Sequence, residues 1–301
     1  MEYLEGNFNM IENFILTNTV TGVSLDFNMV TGPIWLESLN IGPVNGIDQL
    51  YGNPGQDGEQ LAHTSLGTRS VTITAWITEG EPSLREQKLQ LNRFCNPKEP
   101  LDILVNDYKL TFVPGVSIQY AKDKKENNEV MCKFVITGEA YNPFWTSQEE
   151  IGSLVSYVDP RWILPFAIPN EGLVFSVNQP VASTQIRNND LSVGCEIVFT
   201  SWGGSVVNPG IACAETQERL RLKTSISEGE KIVVDTRLGH RKITKYDTEG
   251  EASNGMRFFD PTSDWLSLQS GINTISFFAD SGSDFLGVSI MYSPLLLEVE
   301  S

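Results

Sequence analysis

Val71-Thr72-Ile73-Thr74-Ala75-Trp76-Ile77-Thr78 places an apolar residue at every second position. Successive side chains of a strand leave opposite faces, so this period of two marks a half-buried β-strand. The reading extends outward on both sides. Leu101–Val105 and Lys109–Val113 flank Asn106-Asp107-Tyr108 and read as a hairpin. Val116–Tyr120 and Glu129–Thr137 flank Lys122–Asn128, a mixed-charge run that suits a solvated hairpin tip.

One helix interrupts the strands. Pro82 suits a first helical position. At 100° per residue, Leu84, Leu91, Phe94 and Cys95 share one face, and Asn96-Pro97 stops the run. Such a stripe is an ordinary core face, so the helix is expected to pack on a sheet.

The second half again reads as strands. They are Leu173–Val177, Gly194–Thr200, Arg219–Lys223, Glu230–Asp235, Arg241–Tyr246, Ile272–Phe278 and Leu286–Tyr292. Short strands with turn residues between them indicate a sandwich or barrel. No repeat of 20–50 residues is visible, which disfavours a propeller or solenoid.

Two stretches resist this pattern. Residues 45–66 hold Gly46, Gly52, Pro54, Gly55 and Gly58 without a clear period. A loop of that length is unusual in a compact domain, and it reads as an arm or ordered loop used in assembly, or else as a surface excursion. Residues 142–170 hold Pro143, Pro160, Pro165 and Pro169 among the aromatic residues Phe144, Trp145, Tyr157 and Trp162. Proline resists helix and central strand, so a domain boundary is placed here: 1–145 and 146–301.

The 301 residues are 40% hydrophobic and 10% aromatic, which excludes a wholly disordered chain. Twenty-one Lys and Arg against 38 Asp and Glu give a net charge of −17. The halves divided at residue 150 carry −10 and −7. Neither half suits a surface that grips nucleic acid or an anionic membrane. The first residues carry no secretory signal, and no apolar run is long enough to span a bilayer. Cys95, Cys132, Cys195 and Cys213 form no C-x-x-C pair and read as buried free thiols of a chain made in a reducing cytoplasm.

The search for chemistry returns little. There is no G-x-S-x-G elbow and no P-loop. His63 and His240 lack any triad motif around them and read as surface residues. Asp260 with Asp264, or Asp280 with Asp284, could pair carboxylates or start a calcium loop. Asp280–Asp284 lacks the further ligands and closing Glu of an EF-hand, and any tight turn contains such residues. No residue is assigned a catalytic, cofactor-binding or metal-ligating role.

Several blocks, taken in order, resemble the distal tail proteins of tailed bacteriophages. They are Ile34-Trp35-Leu36, Arg69–Thr74, Leu91–Phe94 and Asn96–Leu101, then Glu228–Thr236 and Asp264–Ile275. The last two look like that family's G-[DE]-x-[ILV]-x-[ILV]-D-T strand and its W-x-x-L-x-x-G-x-N-x-[IL] segment. Read on their own, Gly271 suits a positive φ, Asp235-Thr236 closes a strand, and Trp265 is expected to be a core anchor.

The resemblance implies an all-β scaffold of two β-sandwich domains without catalytic residues. The N-terminal domain would be tail-tube-like with one helix and would form a homo-hexameric ring. The C-terminal domain would be a peripheral, galectin-like sandwich. The ring would join the tail tube protein to the tail tip or baseplate and its receptor-binding proteins, and would contact the tape-measure protein. DNA would only transit its lumen, where net acidity would keep phosphates from sticking. The implied location is the virion tail, assembled in the bacterial host cytoplasm. Two other readings stand beside this one. A carbohydrate-binding module would use Trp162, Trp202 or Trp265 if exposed, although each reads as a core residue. A polysaccharide-acting enzyme would need two facing carboxylates.

Overall fold

The computed structural model describes residues 14–27, 32–52, 57–155, 157–160, 176–179 and 183–299. Trp162, Pro165 and Pro169 lie outside the described residues, as does most of the strand expected at 173–177. The chain forms two compact units. One comprises the residues up to Gln148 and those from Leu296 onward, the other Glu149–Leu295. Residues 296–299, placed with the second domain by the sequence reading, sit in the first unit because Leu296 and Val299 pack on its core.

Among the described residues up to Gln148, the first unit has eleven strands. They are β1 (Phe14–Asn18), β2 (Ser24–Asp26), β3 (Ile34–Ile41), β4 (Gly46–Tyr51), β5 (Gln60–Leu66) and β6 (Arg69–Thr78), then β7 (Leu101–Val105), β8 (Tyr108–Pro114), β9 (Gln119–Tyr120), β10 (Met131–Ala140) and β11 (Trp145–Ser147). The main sheet runs β2-β1-β7-β8-β10-β6-β3. The β6 segment behaves as its alternation requires. Val71, Ile73, Ala75 and Ile77 face the core, and ten consecutive residues pair with β10. The expected hairpin is β7–β8, turned by Asn106 at φ 52°, a conformation asparagine tolerates. The strand expected at 116–120 shortens to β9, and the next one shifts to 131–140.

Helix α1 (Leu84–Phe94) buries Leu84, Leu91 and Phe94 as its spacing predicts. Pro82 is not its first residue. It lies just outside the N-cap, Ser83, whose backbone N–H donates to Glu86 at 3.1 Å. The Ser83–Glu86 capping box, not the proline, starts the helix. Gln87 is also buried, and its amide nitrogen donates to the Pro82 and Thr78 carbonyl oxygens at 2.6 and 3.2 Å. It fixes the chain that leads from β6 into the helix.

The second unit is a two-layer sandwich. One sheet pairs Ile151–Leu154, Leu286–Tyr292, Glu196–Ser201, Lys231–Asp235, Lys242–Tyr246 and Ala252–Asn254, in that order. The other pairs Thr184–Asn188, Gly271–Phe278, Gly210–Cys213 and Arg219–Arg221. Ile197, Phe199, Ile232 and Val288 from the first sheet share one core with Ile186, Ile211, Leu220 and Ile275 from the second. The protein is therefore mainly all-β, as expected.

Candidate assembly surface

Residues 45–66 do not form an irregular loop. The described residues of this stretch hold two antiparallel strands, β4 and β5, which among the described residues pair only with each other. All of β4 is exposed, and in β5 only Ser65 is half-buried. The sequence carries no period of two here because neither face of the hairpin meets a core, so no apolar alternation is selected. A register shift between Gln49 and Leu50 blurs it further. The strands are joined across by Thr64 Oγ1 donating to Asp48 at 2.6 Å and Tyr51 OH donating to Gln60 at 2.5 Å. Ile47, Leu50, Tyr51 and Leu61 are each more than half exposed.

The base of this hairpin is closely tied. Gly42 N–H donates to Ser70 O at 2.8 Å, and Gly67 N–H donates to Asn45 O at 2.8 Å. Beside them the Arg69 side chain is fully buried. Its Nε donates to Gly42 O at 3.0 Å, and Nη1 donates to Pro143 O at 3.2 Å and to Leu297 O at 2.7 Å. Nη2 donates to the Glu298 carboxylate at 2.6 Å. Burying a guanidinium is costly unless its N–H groups are satisfied, and here four acceptors surround it. No local pattern reveals this role of Arg69, since its partners lie at least 27 residues away along the chain.

On the outer face of the main sheet, Trp35 stacks on Trp76 with ring centroids 5.6 Å apart and planes at 6°. Trp76 Nε1 and Lys133 Nζ both donate to Glu37, at 2.6 and 2.8 Å. The Glu37 hydrogen bond raises the Lys133 pKa above its ordinary value, outweighing desolvation.

Asp260, Asp264 and Asp280 are held in structural hydrogen bonds and ion pairs. His63 is exposed in β5, and His240 is exposed in the turn after Lys231–Asp235. Asp260 accepts the Thr262 N–H at 3.0 Å and pairs with Lys223 at 3.2 Å. Asp264 accepts the Arg219 N–H, and Asp280 pairs with Arg221 and Asn208. Asp284 lies in a short 3-10 turn. Among the described residues no cluster of His, Cys, Asp and Glu could hold a metal ion. All four cysteines are buried and unbridged, and burial pushes the Cys95 and Cys195 thiols up to about 12.

The motif positions of the second unit are architectural. Gly271 has φ 102°, as the turn demands. Asn273 is fully buried, accepting the Gln269 N–H and donating to the Gln269 carbonyl oxygen, both at 2.8 Å. Asp235 is buried and accepts two guanidinium hydrogen bonds from Arg237, at 2.9 and 2.7 Å. Trp265 is half-buried and stacks on Phe259 at 4.6 Å, with Arg241 over its ring. Trp202, expected inside, is 69% exposed. Its indole lies against Gly287, where a Cβ would collide with it.

Residues 188–294 match the family model for the siphovirus-type tail component, C-terminal domain. That span lies within the second unit. This bears out the distal tail family recognised from the sequence. The whole chain also resembles solved phage structures. The fold matches SPP1 Dit, described as a paradigm of the hub adsorption apparatus in phages infecting Gram-positive hosts, with a TM-score of 0.63 and 14% identity. That match covers 94% of this chain and 99% of the other. A chain of the phage P2 baseplate in its activated conformation matches with a TM-score of 0.51 and 9% identity, covering 95% and 99%. No curated protein sequence matches the chain at a significant level.

Proposed function

We propose that this chain is a non-enzymatic distal tail protein whose first unit forms a hexameric ring between the tail tube and the tail tip. The exposed β4–β5 hairpin carries the reading. A lone two-stranded hairpin is marginal in water, and this one exposes Ile47, Leu50, Tyr51 and Leu61. A neighbouring subunit would cover these side chains and supply the missing packing, and ring closure would leave none of them bare. In such a ring the first unit is the tube-like layer and the second a peripheral, galectin-like sandwich. The tube, tape-measure, tip and receptor-binding proteins are its partners in the virion tail, after assembly in the host cytoplasm. The net charge of −17 per chain suits a lumen that DNA crosses without adhering. Electron microscopy of the purified protein tests this: six-fold rings with an open channel are expected, and a monomer at all concentrations would overturn it.

The carbohydrate-binding reading rests on one observation, the exposed indole of Trp202 on the second unit. An open aromatic face can stack on a sugar ring. Retention on host cell-wall polysaccharide, lost in Trp202→Ala, would favour that role for the second unit.

A further inference from the structure

The first unit contains one segment made long after the rest of it. The chain leaves this unit at Gln148, forms the whole second unit, and re-enters it at Leu296. The returning segment does three things at once. Leu296 and Val299 pack against the first core. Leu297 O accepts from Arg69 Nη1 at 2.7 Å. Glu298 accepts from Arg69 Nη2 at 2.6 Å, although its own side chain is 70% exposed.

Arg69 is also the residue that holds the base of the β4–β5 arm, through Nε to Gly42 O at 3.0 Å. The same guanidinium thus bridges the arm's root and the returning segment. We propose that residues 296–299 are a strap that fixes the base of the arm, so that the arm becomes rigid only in chains that have completed the second unit. Without the strap, Arg69 would be a buried cation with two backbone acceptors and no counter-charge. Such an arrangement is strongly unfavourable, and it relaxes by letting the guanidinium reach water. The hydrogen bonds at Gly42 and Gly67 would then open together, and the arm would swing.

The consequence for assembly rests on the ring reading above. A partial chain, or one whose second unit has not folded, would present an unfixed arm and be a poor ring subunit. Each immobile contact residue lowers the entropy lost on docking, so a fixed arm binds better than a loose one. The local claim about the arm's base does not need the ring.

Amide hydrogen exchange decides it, using the full chain, Glu298→Ala, and a chain stopped after Leu295. Exchange at Gly42 and Gly67 is expected to rise about tenfold or more in the stopped chain, with a smaller rise in Glu298→Ala. Amides of the β7–β8 hairpin should stay protected. Unchanged exchange at Gly42 and Gly67 in both variants would overturn the proposal. If the stopped chain loses protection throughout the first unit, Glu298→Ala alone decides, with a local rise supporting the strap and none rejecting it. Particle mass is measured on the same samples. Rings from the full chain with fewer from the stopped chain support the link to assembly, and equal rings despite fast exchange reject that link. A full chain that never forms rings refutes the ring reading and leaves the exchange result standing.

Discussion

The Thr236 hydroxyl accepts the Cys195 N–H at 2.8 Å and donates to the Cys195 carbonyl oxygen at 3.1 Å. Both residues are buried, and the exchange locks the end of the Lys231–Asp235 strand to the start of its neighbour. Thr236→Val keeps the shape and removes both partners. A buried N–H left without an acceptor costs about 1–3 kcal/mol. Denaturant unfolding of the second unit is expected to show a loss of that size. Thr236→Ser should recover most of it.

This pair also shows how far the sequence could be read. Asp235-Thr236 was recognisable as a strand end, because Asp and Thr side chains bond turn backbones. What the side chains bond was not legible: Cys195 is 41 residues away, and Arg237 wraps back two residues to meet Asp235. The core strands were legible because alternation is enforced wherever one face is buried, as at Val71–Ile77. The arm was not, because none of its residues is held to a buried face. The exposure of Trp202 runs against the usual burial of aromatic residues, and its contact at Gly287 lies 85 residues on along the chain. The buried role of Arg69 depends on Leu297 and Glu298, which no local pattern connects to it.

Acid should weaken the second unit through its tied carboxylates. Hydrogen bonds from the Thr262 N–H hold Asp260 down to about 2, and bonds from Thr274 do the same for Glu215. Burial pushes Asp235 up, but the Arg237 bonds outweigh it and leave the carboxyl below its ordinary value. A carboxyl whose folded pKa lies below its unfolded pKa contributes stability above the unfolded value, near 4. That contribution is lost as pH falls through the folded pKa. Asp260→Asn should therefore be less stable than the parent at pH 7, and the gap should close between about pH 4 and pH 2. Thermal unfolding of both proteins across that range checks it, and a gap independent of pH would contradict the assignment.

Gly138 marks the point where β10, paired with β6 along its length, begins to pair with β8. A Cβ there would stand 2.3 Å from Val113 O and 2.9 Å from Pro114 Cα. Both are backbone atoms, so neither can turn aside. Gly138→Ala is expected to push β8 from β10 and to cost about 1–3 kcal/mol, as overpacking does. Gly80→Ala, where nothing lies within 4 Å, is the matched control and should be nearly neutral. Equal unfolding midpoints for the two variants would show that the β8–β10 approach is looser than these distances require.

The arm offers the sharpest separation of folding from assembly. Leu50 and Leu61 are 54% and 58% exposed and sit opposite each other in the β4–β5 register. Exposed side chains contribute little to the stability of the isolated chain, so Leu50→Lys with Leu61→Lys should change it by less than about 0.5 kcal/mol. In a ring the same positions would be covered by a neighbour, and burying an unpaired ammonium there is strongly unfavourable. The double variant should therefore unfold at the parent's midpoint yet remain monomeric at concentrations where the parent forms rings. Analytical ultracentrifugation and a denaturant titration on one preparation give both quantities. A variant that still assembles would remove the arm from the interface, while one that unfolds early would show that the arm packs on its own unit.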